Sequence, residues 1–408
     1  LVLTYGMHWP GRQRTSARGL RRTPFYHPMK ANGAVYTEAQ GWERPGWFAP
    51  EGVTPEYDYS FHRPSWFDHS QAEQVAARES VAMIDYSMLG KLIVEGGGAL
   101  NFLQRVCTND IDMPVGRVIY TLMLNERGGI ESDVTVARHG ADSFMIMSSI
   151  SHTRRDRDYL QRLIAQGEDV RLRDATSAFA VLSIAGPKVR DLLAAVSEID
   201  LSDDGFPFNS LQHFYIGHAP VFAQRLSYTG ELGWEIFITP DFAEHVFEVL
   251  CAAGAPMDLR LVGSEALNAL RVEKGFLHWG HDMSYTEAPH QVGLSFVCKP
   301  NKAIPFIGRD AFVSRKAAGK GPFLCYVKLH SAQPMLHHNE PLLKDGKVAG
   351  YVASGAYAAG QAAAIGTCFI NTDDRASISS GVYSVMVEGR AIPATVSLAP
   401  FSKPQTTG

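Results

Sequence analysis

The chain has 408 residues, 45% of them apolar and 20% charged, and a formal net charge of -4. Such values fit a globular protein of two or three domains, and the slight acidity excludes the broad basic field that nucleic-acid binding requires. Five cysteines (Cys107, Cys251, Cys298, Cys325, Cys368) make neither a C-x-x-C pair nor a zinc spacing, so reduced thiols in an intracellular compartment are expected rather than a disulfide framework.

No apolar run reaches the roughly 18 residues a membrane-spanning helix needs. The N-terminus, Leu1-Val-Leu-Thr-Tyr-Gly-Met-His-Trp, is too short and too aromatic for a signal peptide. It lacks a starting methionine, so the chain is expected to be a piece of something longer. The cationic run Arg12, Arg14, Arg18, Arg21 and Arg22 reads as a solvated or interdomain surface. Leu1 to about Pro55 is rich in Trp, Pro, Gly and Arg, with Trp42, Trp47, Phe48 and Trp66 close together. That composition predicts an aromatic belt packed on another surface, not a disordered linker.

Ser70 to Ala82 then reads as a helix, Lys91 to Glu95 as a short strand, and Ala99 to Val106 as a helix with Leu100, Leu103 and Val106 on one face. Tyr120 to Val136 reads as strand, turn, strand, with Gly128 and Gly129 supplying positive φ at the reversal. Phe144 to Ser148 and Ala180 to Ala185 are further strands, the latter followed by a helix over Val189 to Val196. Ala223 to Ser227 and Glu235 to Ile238 bracket another glycine turn. Asp241 and Ser264 are expected to cap two helices, the second ending near Gly275. Hairpin-connected strands alternating with helices predict an α+β fold with antiparallel sheets. After Arg315 the helices are expected to stop. Lys316-Ala-Ala-Gly-Lys-Gly reads as a linker, and the strand patterns at Phe323–Leu329, Leu342–Val352, Ala363–Ile370 and Val382–Val396 predict a small all-β barrel or sandwich.

Three segments can carry chemistry. In Gly129-Ile-Glu-Ser-Asp-Val, Glu131 and Asp133 lie two apart on an extended chain and share a face. Like charges that close raise one pKa and favour proton acceptance near neutrality. In Tyr228-Thr-Gly-Glu-Leu-Gly-Trp-Glu, Glu231 stands in a glycine-bounded turn between Tyr228 and Trp234. A carboxylate beside aromatic faces suits a flat heterocycle with an N–H edge. A turn or capping carboxylate is the alternative. In Leu270-Arg-Val-Glu-Lys-Gly-Phe-Leu-His-Trp-Gly-His-Asp, Arg271 clamps a ligand carboxylate or pairs with a neighbouring acid. His337-His338 is the one adjacent histidine pair. On an extended chain the two point to opposite sides, so no metal site is expected.

In this order and spacing, the three segments resemble the glycine cleavage T-protein (aminomethyltransferase) family. The similarity is greatest to the C-terminal folate-binding halves of dimethylglycine and sarcosine dehydrogenases. It runs nearly end to end, and Gly41-Trp-Glu-Arg-Pro-Gly-Trp-Phe-Ala-Pro is similar to the segment joining their two halves. The resemblance implies three subdomains around a central folate cavity with a C-terminal barrel. It implies a joining segment over 1–55, a folate-binding domain over 56–315 and a barrel domain over 316–408. It implies Asp133 as the catalytic base, Tyr120, Tyr228 and Glu231 as folate contacts, and Arg271 and Trp279 as further cavity residues. Gln291 stands where the family often has glutamate. The implied activity is capture of a methylene group from an N-methyl amine donor on tetrahydrofolate, giving 5,10-methylenetetrahydrofolate. FAD would belong to an N-terminal half or a partner subunit, in the cytoplasm or mitochondrial matrix. Two alternatives stay open: a folate-binding regulatory subunit without catalysis, similar to a phosphatase regulatory relative, or a folate-dependent demethylase of another methyl donor.

Overall fold

The computed structural model describes residues 5–405; Leu1–Thr4, the start of the expected joining segment, lie outside them. The first elements are α1 (Tyr26–Ala31) and a hairpin of β1 (Ala34–Ala39) and β2 (Trp42–Phe48). Gln40 and Gly41 turn that hairpin with φ of +53° and +83°, the left-handed pair that matches strand twist. α2 (Phe67–Glu79) begins and ends earlier than its sequence pattern, because Val81 and Ala82 belong to β3 (Val81–Asp85). Both are fully buried in a sheet, and tertiary pairing overrides their helical phase.

Next come β4 (Gly90–Glu95), α3 (Ala99–Val106), β5 (Val118–Leu124), β6 (Ile130–Gly140), β7 (Ser143–Ser148), α4 (Thr153–Leu163) and β8 (Arg171–Asp174). The strands form a five-stranded antiparallel sheet, order β5-β6-β7-β4-β8. Its outer face is covered by α3 and α4, which bury Phe102, Leu103, Val106 and Leu160 against Leu92, Val94, Val136 and Ile146. Each such side chain contributes roughly 1.5–3 kcal/mol on leaving water.

The chain continues through β9 (Ala180–Ala185), α5 (Val189–Val196), β10 (Leu211–Ile216), β11 (Ala219–Gln224), β12 (Gly233–Ile238), α6 (Ala243–Gly254) and β13 (Leu259–Leu261). These strands join β3 in a six-stranded sheet, order β10-β11-β12-β9-β3-β13, in which β13 runs parallel to β3 and the other pairs are antiparallel. Alternation divides β9 between two cores. Leu182 and Ile184 face α1, α5 and α6, whereas Val181 meets Phe222, Phe237, Ala137 and Met145. The second core is the seam where the two sheets pack face to face.

α7 (Ser264–Lys274) crosses one end of this seam and stops at Gly275, φ +77°. Gly263, not Ser264, is its N-cap. The Gly263 N–H donates to Glu73 Oε2 at 2.8 Å, and a Cβ there would lie 2.1 Å from the Gly46 carbonyl oxygen. Asp241 likewise caps nothing and sits in a single 3₁₀ turn before α6. α8 (Arg309–Ala318) runs through Arg315 and takes up the first residues of the expected linker.

The barrel comprises β14 (Phe323–Leu329), β15 (Pro341–Lys344), β16 (Lys347–Ala358), β17 (Ala363–Ile370), β18 (Tyr383–Val387) and β19 (Arg390–Ser397). It closes in the order β14-β17-β16-β15-β18-β19. Cys325, Val327, Leu342, Val352, Cys368 and Val385 fill it, and α7 docks on its wall through Ala269 and Val272. The tail beyond β19 returns to the six-stranded sheet, where the Gln405 N–H donates to the Gly230 carbonyl at 2.6 Å. All five cysteines are free. Among the described residues no helix is long and apolar enough to cross a membrane.

Candidate active site

The hairpin β5–β6 carries the first candidate. Gly128 turns it with φ +75°. Gly129 has no positive φ; it is required because a Cβ would fall 1.9 Å from the Tyr285 carbonyl oxygen. In register, Leu122 stands opposite Asp133 and Tyr120 opposite Thr135. Val118, Tyr120, Asp133 and Ala137 therefore share one face, and Val118 and Ala137 lie in the seam between the sheets. The Tyr120 hydroxyl donates to Asp133 Oδ2 at 3.1 Å.

Burial pushes the Asp133 carboxyl up to about 7; the Tyr120 hydrogen bond opposes this, and the Asp156 and Asp282 charges add to it. Glu131 is not the cause that its spacing predicted. It is held by Arg155 in an ion pair and by Asn125 Nδ2 at 3.0 Å. Trp279 braces the same hairpin, its Nε1 donating to the Ile130 carbonyl at 2.8 Å. The Arg155 guanidinium lies 4.5 Å over the Trp279 ring, and His152 packs edge-on at 4.3 Å.

Across the seam, Ser183 and Gln224 stand directly opposite Glu235 on the neighbouring strands β9 and β11. They share the face of Val181, Phe222 and Phe237, which looks toward the five-stranded sheet. Both polar atoms of the Gln224 amide are buried without a hydrogen-bond partner, and the Ser183 and Tyr86 hydroxyls are buried facing each other. Burial pushes the Glu235 carboxyl up to about 8, and Lys91 pulls the other way. Lys91 is itself enclosed by the carbonyls of Ser87, Leu89 and Thr176 at 2.8, 2.9 and 3.1 Å, and burial pulls it down to about 7. Buried polar atoms of this kind call for a partner from outside the chain, an ordered water or a polar ligand. Tyr228 bridges the two rows. Its ring stacks on Phe276 at 5.8 Å, its hydroxyl donates to the Leu277 carbonyl at 2.6 Å, and the charges of Arg271, Asp133 and Asp282 all bear on it.

Glu231 and Arg271 are committed to partners within the chain, the structural alternative that the sequence left open for each. Glu231 is buried in an ion pair with Lys274 Nζ at 2.9 Å, and Lys274 also donates to the Lys403 carbonyl at 3.1 Å. It ties its turn to α7 and the tail. Arg271 reaches the Asp282 carboxylate and the Phe276 carbonyl through Nη1. Its Nη2 reaches Asn268 and Ser354, and its Nε reaches Asn268. A guanidinium has five N–H donors, and all are committed, so none remains for a ligand carboxylate. Asp282 also accepts from Thr367 and from the His278 N–H, making the cluster a joint between α7 and the barrel. Gln291 has a similar fate, accepting from the Ala288 N–H at 2.8 Å and from Arg315 at 3.0 Å. Among the described residues no His, Cys, Asp and Glu cluster fits a metal ion.

Residues 25–302 match the GCVT N-terminal domain, and residues 324–403 match the glycine cleavage T-protein C-terminal barrel domain. The chain belongs to the glycine cleavage T-protein family. Members similar to it include 4-methylaminobutanoate oxidase (formaldehyde-forming) of Paenarthrobacter nicotinovorans, 36% identical over 98% of this chain and 48% of the relative. Mitochondrial sarcosine dehydrogenase of Homo sapiens is 32% identical over 85% of this chain and 42% of the relative. The chain thus spans about half the length of these curated relatives. Its T-protein fold superposes on the glycine cleavage system aminomethyltransferase T of Bartonella henselae with a TM-score of 0.80, covering 96% of this chain and 100% of the other at 22% identity.

Glu235 is the residue that sequence reasoning passed over in this T-protein family member. The signal was present: a lone carboxylate in the otherwise apolar strand Gly-Trp-Glu-Ile-Phe-Ile, buried on both faces.

Proposed function

We propose that this chain is a tetrahydrofolate-binding one-carbon transferase module. In this reading it receives the methylene unit released when a flavin-dependent oxidase half or partner demethylates a small N-methyl amine. The observation that carries the reading is the pair of facing rows in the seam, one with a proton acceptor tuned near neutrality and one with unmatched donors and acceptors. A reduced pterin fits the second row chemically, since its ring edge offers both N–H donors and a carbonyl acceptor. Glu235, Gln224 and Ser183 would hold that edge, with Tyr228 and Tyr86 beside them. When bound, tetrahydrofolate supplies amine nitrogens that take up a carbon at the formaldehyde oxidation level.

The protein's own contribution is positional and protonic. Tyr120 engages Asp133 Oδ2, which leaves Oδ1 to accept the proton an amine nitrogen must shed on gaining a carbon. The aromatic and aliphatic walls of the seam keep bulk water from that proton. Fixing the partners in place is worth about 7–11 kcal/mol when alignment is good.

The names of the relatives bear on the donor. One is an oxidase of a methylaminobutanoate described as formaldehyde-forming, and another a sarcosine dehydrogenase; both act on N-methyl amines. The test is partition. An N-methyl amine is turned over by a flavin amine oxidase with the chain and tetrahydrofolate present, and free formaldehyde is measured against methylenetetrahydrofolate. Calorimetric binding of tetrahydrofolate with a shift away from formaldehyde supports the proposal. No binding at millimolar tetrahydrofolate removes it.

A further inference from the structure

Behind the strand that carries Asp133 lies a second acid. On β6, Ser132 and Asp133 are neighbours and therefore project from opposite faces of the sheet. Asp133 looks into the seam, on the face of Ala137. Ser132 shares the face of Val134 and Val136, which α3 and α4 cover. Ser148, at the end of β7, lies on that outer face with Phe144 and Ile146. Both serine hydroxyls donate to one atom, Asp156 Oδ2 of α4, that of Ser132 at 2.9 Å. All three residues are buried, and Asp156 is only 2% exposed.

Asp156 has no counter-ion within ion-pair distance among the described residues. Its neighbour Arg155 turns instead to Glu131 and the Trp279 ring. By contrast, four buried acids that tie elements together, Glu43, Glu231, Glu273 and Asp282, each hold an arginine or lysine. Burial lifts the Asp156 carboxyl above the usual carboxylate range, and the two hydroxyls and the Arg155 charge act to lower it. Two donors on one oxygen stabilise the ionised form. So does its place in the first turn of α4, where the helix dipole favours negative charge. The other groups that face Asp133 are accounted for. Tyr120 comes from β5, Tyr228 from the turn before β12 and Asp282 from the chain after α7. Asp282 is matched by Arg271, and Glu131 on β6 itself by Arg155. Among the described residues, Asp156 is thus the negative charge acting on Asp133 that has no cation of its own.

We infer that Asp156 is a positioning residue for the proton transfer, a fixed negative charge behind the sheet that makes Asp133 a stronger base. The inference rests on the role proposed above for Asp133 and adds the residue that tunes it. A carboxyl beside a second negative charge gives up its proton less readily. Asp133 therefore ionises at higher pH and, once ionised, draws a proton from an amine nitrogen more strongly. Asp156 itself touches neither the seam nor a ligand in it, because the sheet stands between.

The test replaces Asp156 by Asn in the 408-residue chain, which removes the charge and keeps an oxygen for the two serines. Methylene transfer is measured against pH. The acid limb, which lies at about 7 in the wild type, should move down by about 0.5–1 on the pH scale. The two profiles should cross. Asp156→Asn should be about two- to threefold faster below the limb and about as much slower above it, since a weaker base ionises earlier and pulls less. A structural lesion lowers transfer at every pH, so a uniform drop, or an unmoved limb, overturns the inference and leaves the folate reading standing. Carboxyl-carbon NMR of the ligand-free chain supplies a readout independent of folate. The Asp133 signal is assigned by its loss in Asp133→Asn, and the Asp156 signal by its loss in Asp156→Asn or, should that variant not fold, in Asp156→Ser. In the wild type, Asp156 should be ionised before Asp133 begins to titrate. An Asp156 that stays protonated through that range overturns the inference. A wild type that shows this order of titration but transfers nothing at any pH removes the folate reading instead.

Discussion

Two buried polar groups, each built on strands that meet α7 or the seam beside it, have opposite character. At the joint with the barrel, Arg271, Asp282, Asn268, Ser354 and Thr367 are satisfied by one another and by neighbouring backbone groups. In the seam, Ser183 and Gln224 flank Glu235 on adjacent strands, and both polar atoms of the Gln224 amide are left unmatched. Both clusters cost desolvation on folding. The first recovers it within the chain, as a structural joint must. On the proposed reading the second defers it to the folate, and the contrast then separates stability from function without appeal to residue type, since each cluster contains a carboxylate, an amide and a hydroxyl.

The sharpest way to break the contrast is at the reacting end of the seam. Asp133→Asn keeps the shape and the Tyr120 contact but removes the proton acceptor. Methylene transfer should fall by about 10²–10⁴-fold with tetrahydrofolate affinity retained, and unchanged turnover in a stopped assay would sink the role. In wild type, transfer should rise with pH through about 7, the point to which burial lifts this carboxyl, because only the ionised form accepts a proton.

Arg271→Ala attacks the closed cluster. It strands Asp282 without its cation, which should cost about 3–5 kcal/mol of stability, read as a lower denaturant midpoint. A neutral outcome would mean that the joint does not hold the barrel to α7. Glu235→Gln, by contrast, should weaken tetrahydrofolate by about fivefold to a hundredfold, the penalty for a buried hydrogen-bonding group left mismatched, while the fold stays intact. Glu231→Gln serves as its control: tethered to Lys274, it should lower stability and spare affinity. If the two glutamates behave alike, the division of labour is wrong.

The smallest effect is a pH signature. The Glu235 carboxyl lies at about 8 in the folded chain against an ordinary 4.5. Between those values the folded chain holds a proton that the unfolded chain has released. Its stabilising contribution is therefore complete below about 4.5 and is lost as pH rises through about 8. Wild-type Tm should drop relative to Glu235→Gln over that range, and parallel Tm curves would show that the carboxyl has a partner after all.

Much of the architecture was readable from periodicity. The limits of α3, β9 and α5 follow from apolar spacing and the flanking glycines, and the hairpin bearing Asp133 follows from its alternation and turn. What escaped is non-local. Nothing near Glu235 in the sequence announces that Ser183 and Gln224 will stand beside it, because those residues meet only when β9, β11 and β12 pair. Glu231, framed by glycines and aromatics, looked more like a ligand group than Glu235, which is hidden in an apolar strand. For Arg271 the sequence offered an acid partner as one of two expectations, and the return of the chain through Asp282 decides between them. The three-residue β13 and its parallel alignment with β3 are too short for any pattern to reveal.

The returning tail gives the molecule a mechanical property. By hooking Gln405 onto Gly230 and Lys403 onto Lys274, the segment after β19 becomes a strap across the turn that leads from Tyr228 into β12. A proteolytic nick near Phe401 would slacken that strap at a distance from the seam, and ligand in the seam should in turn slow the nick.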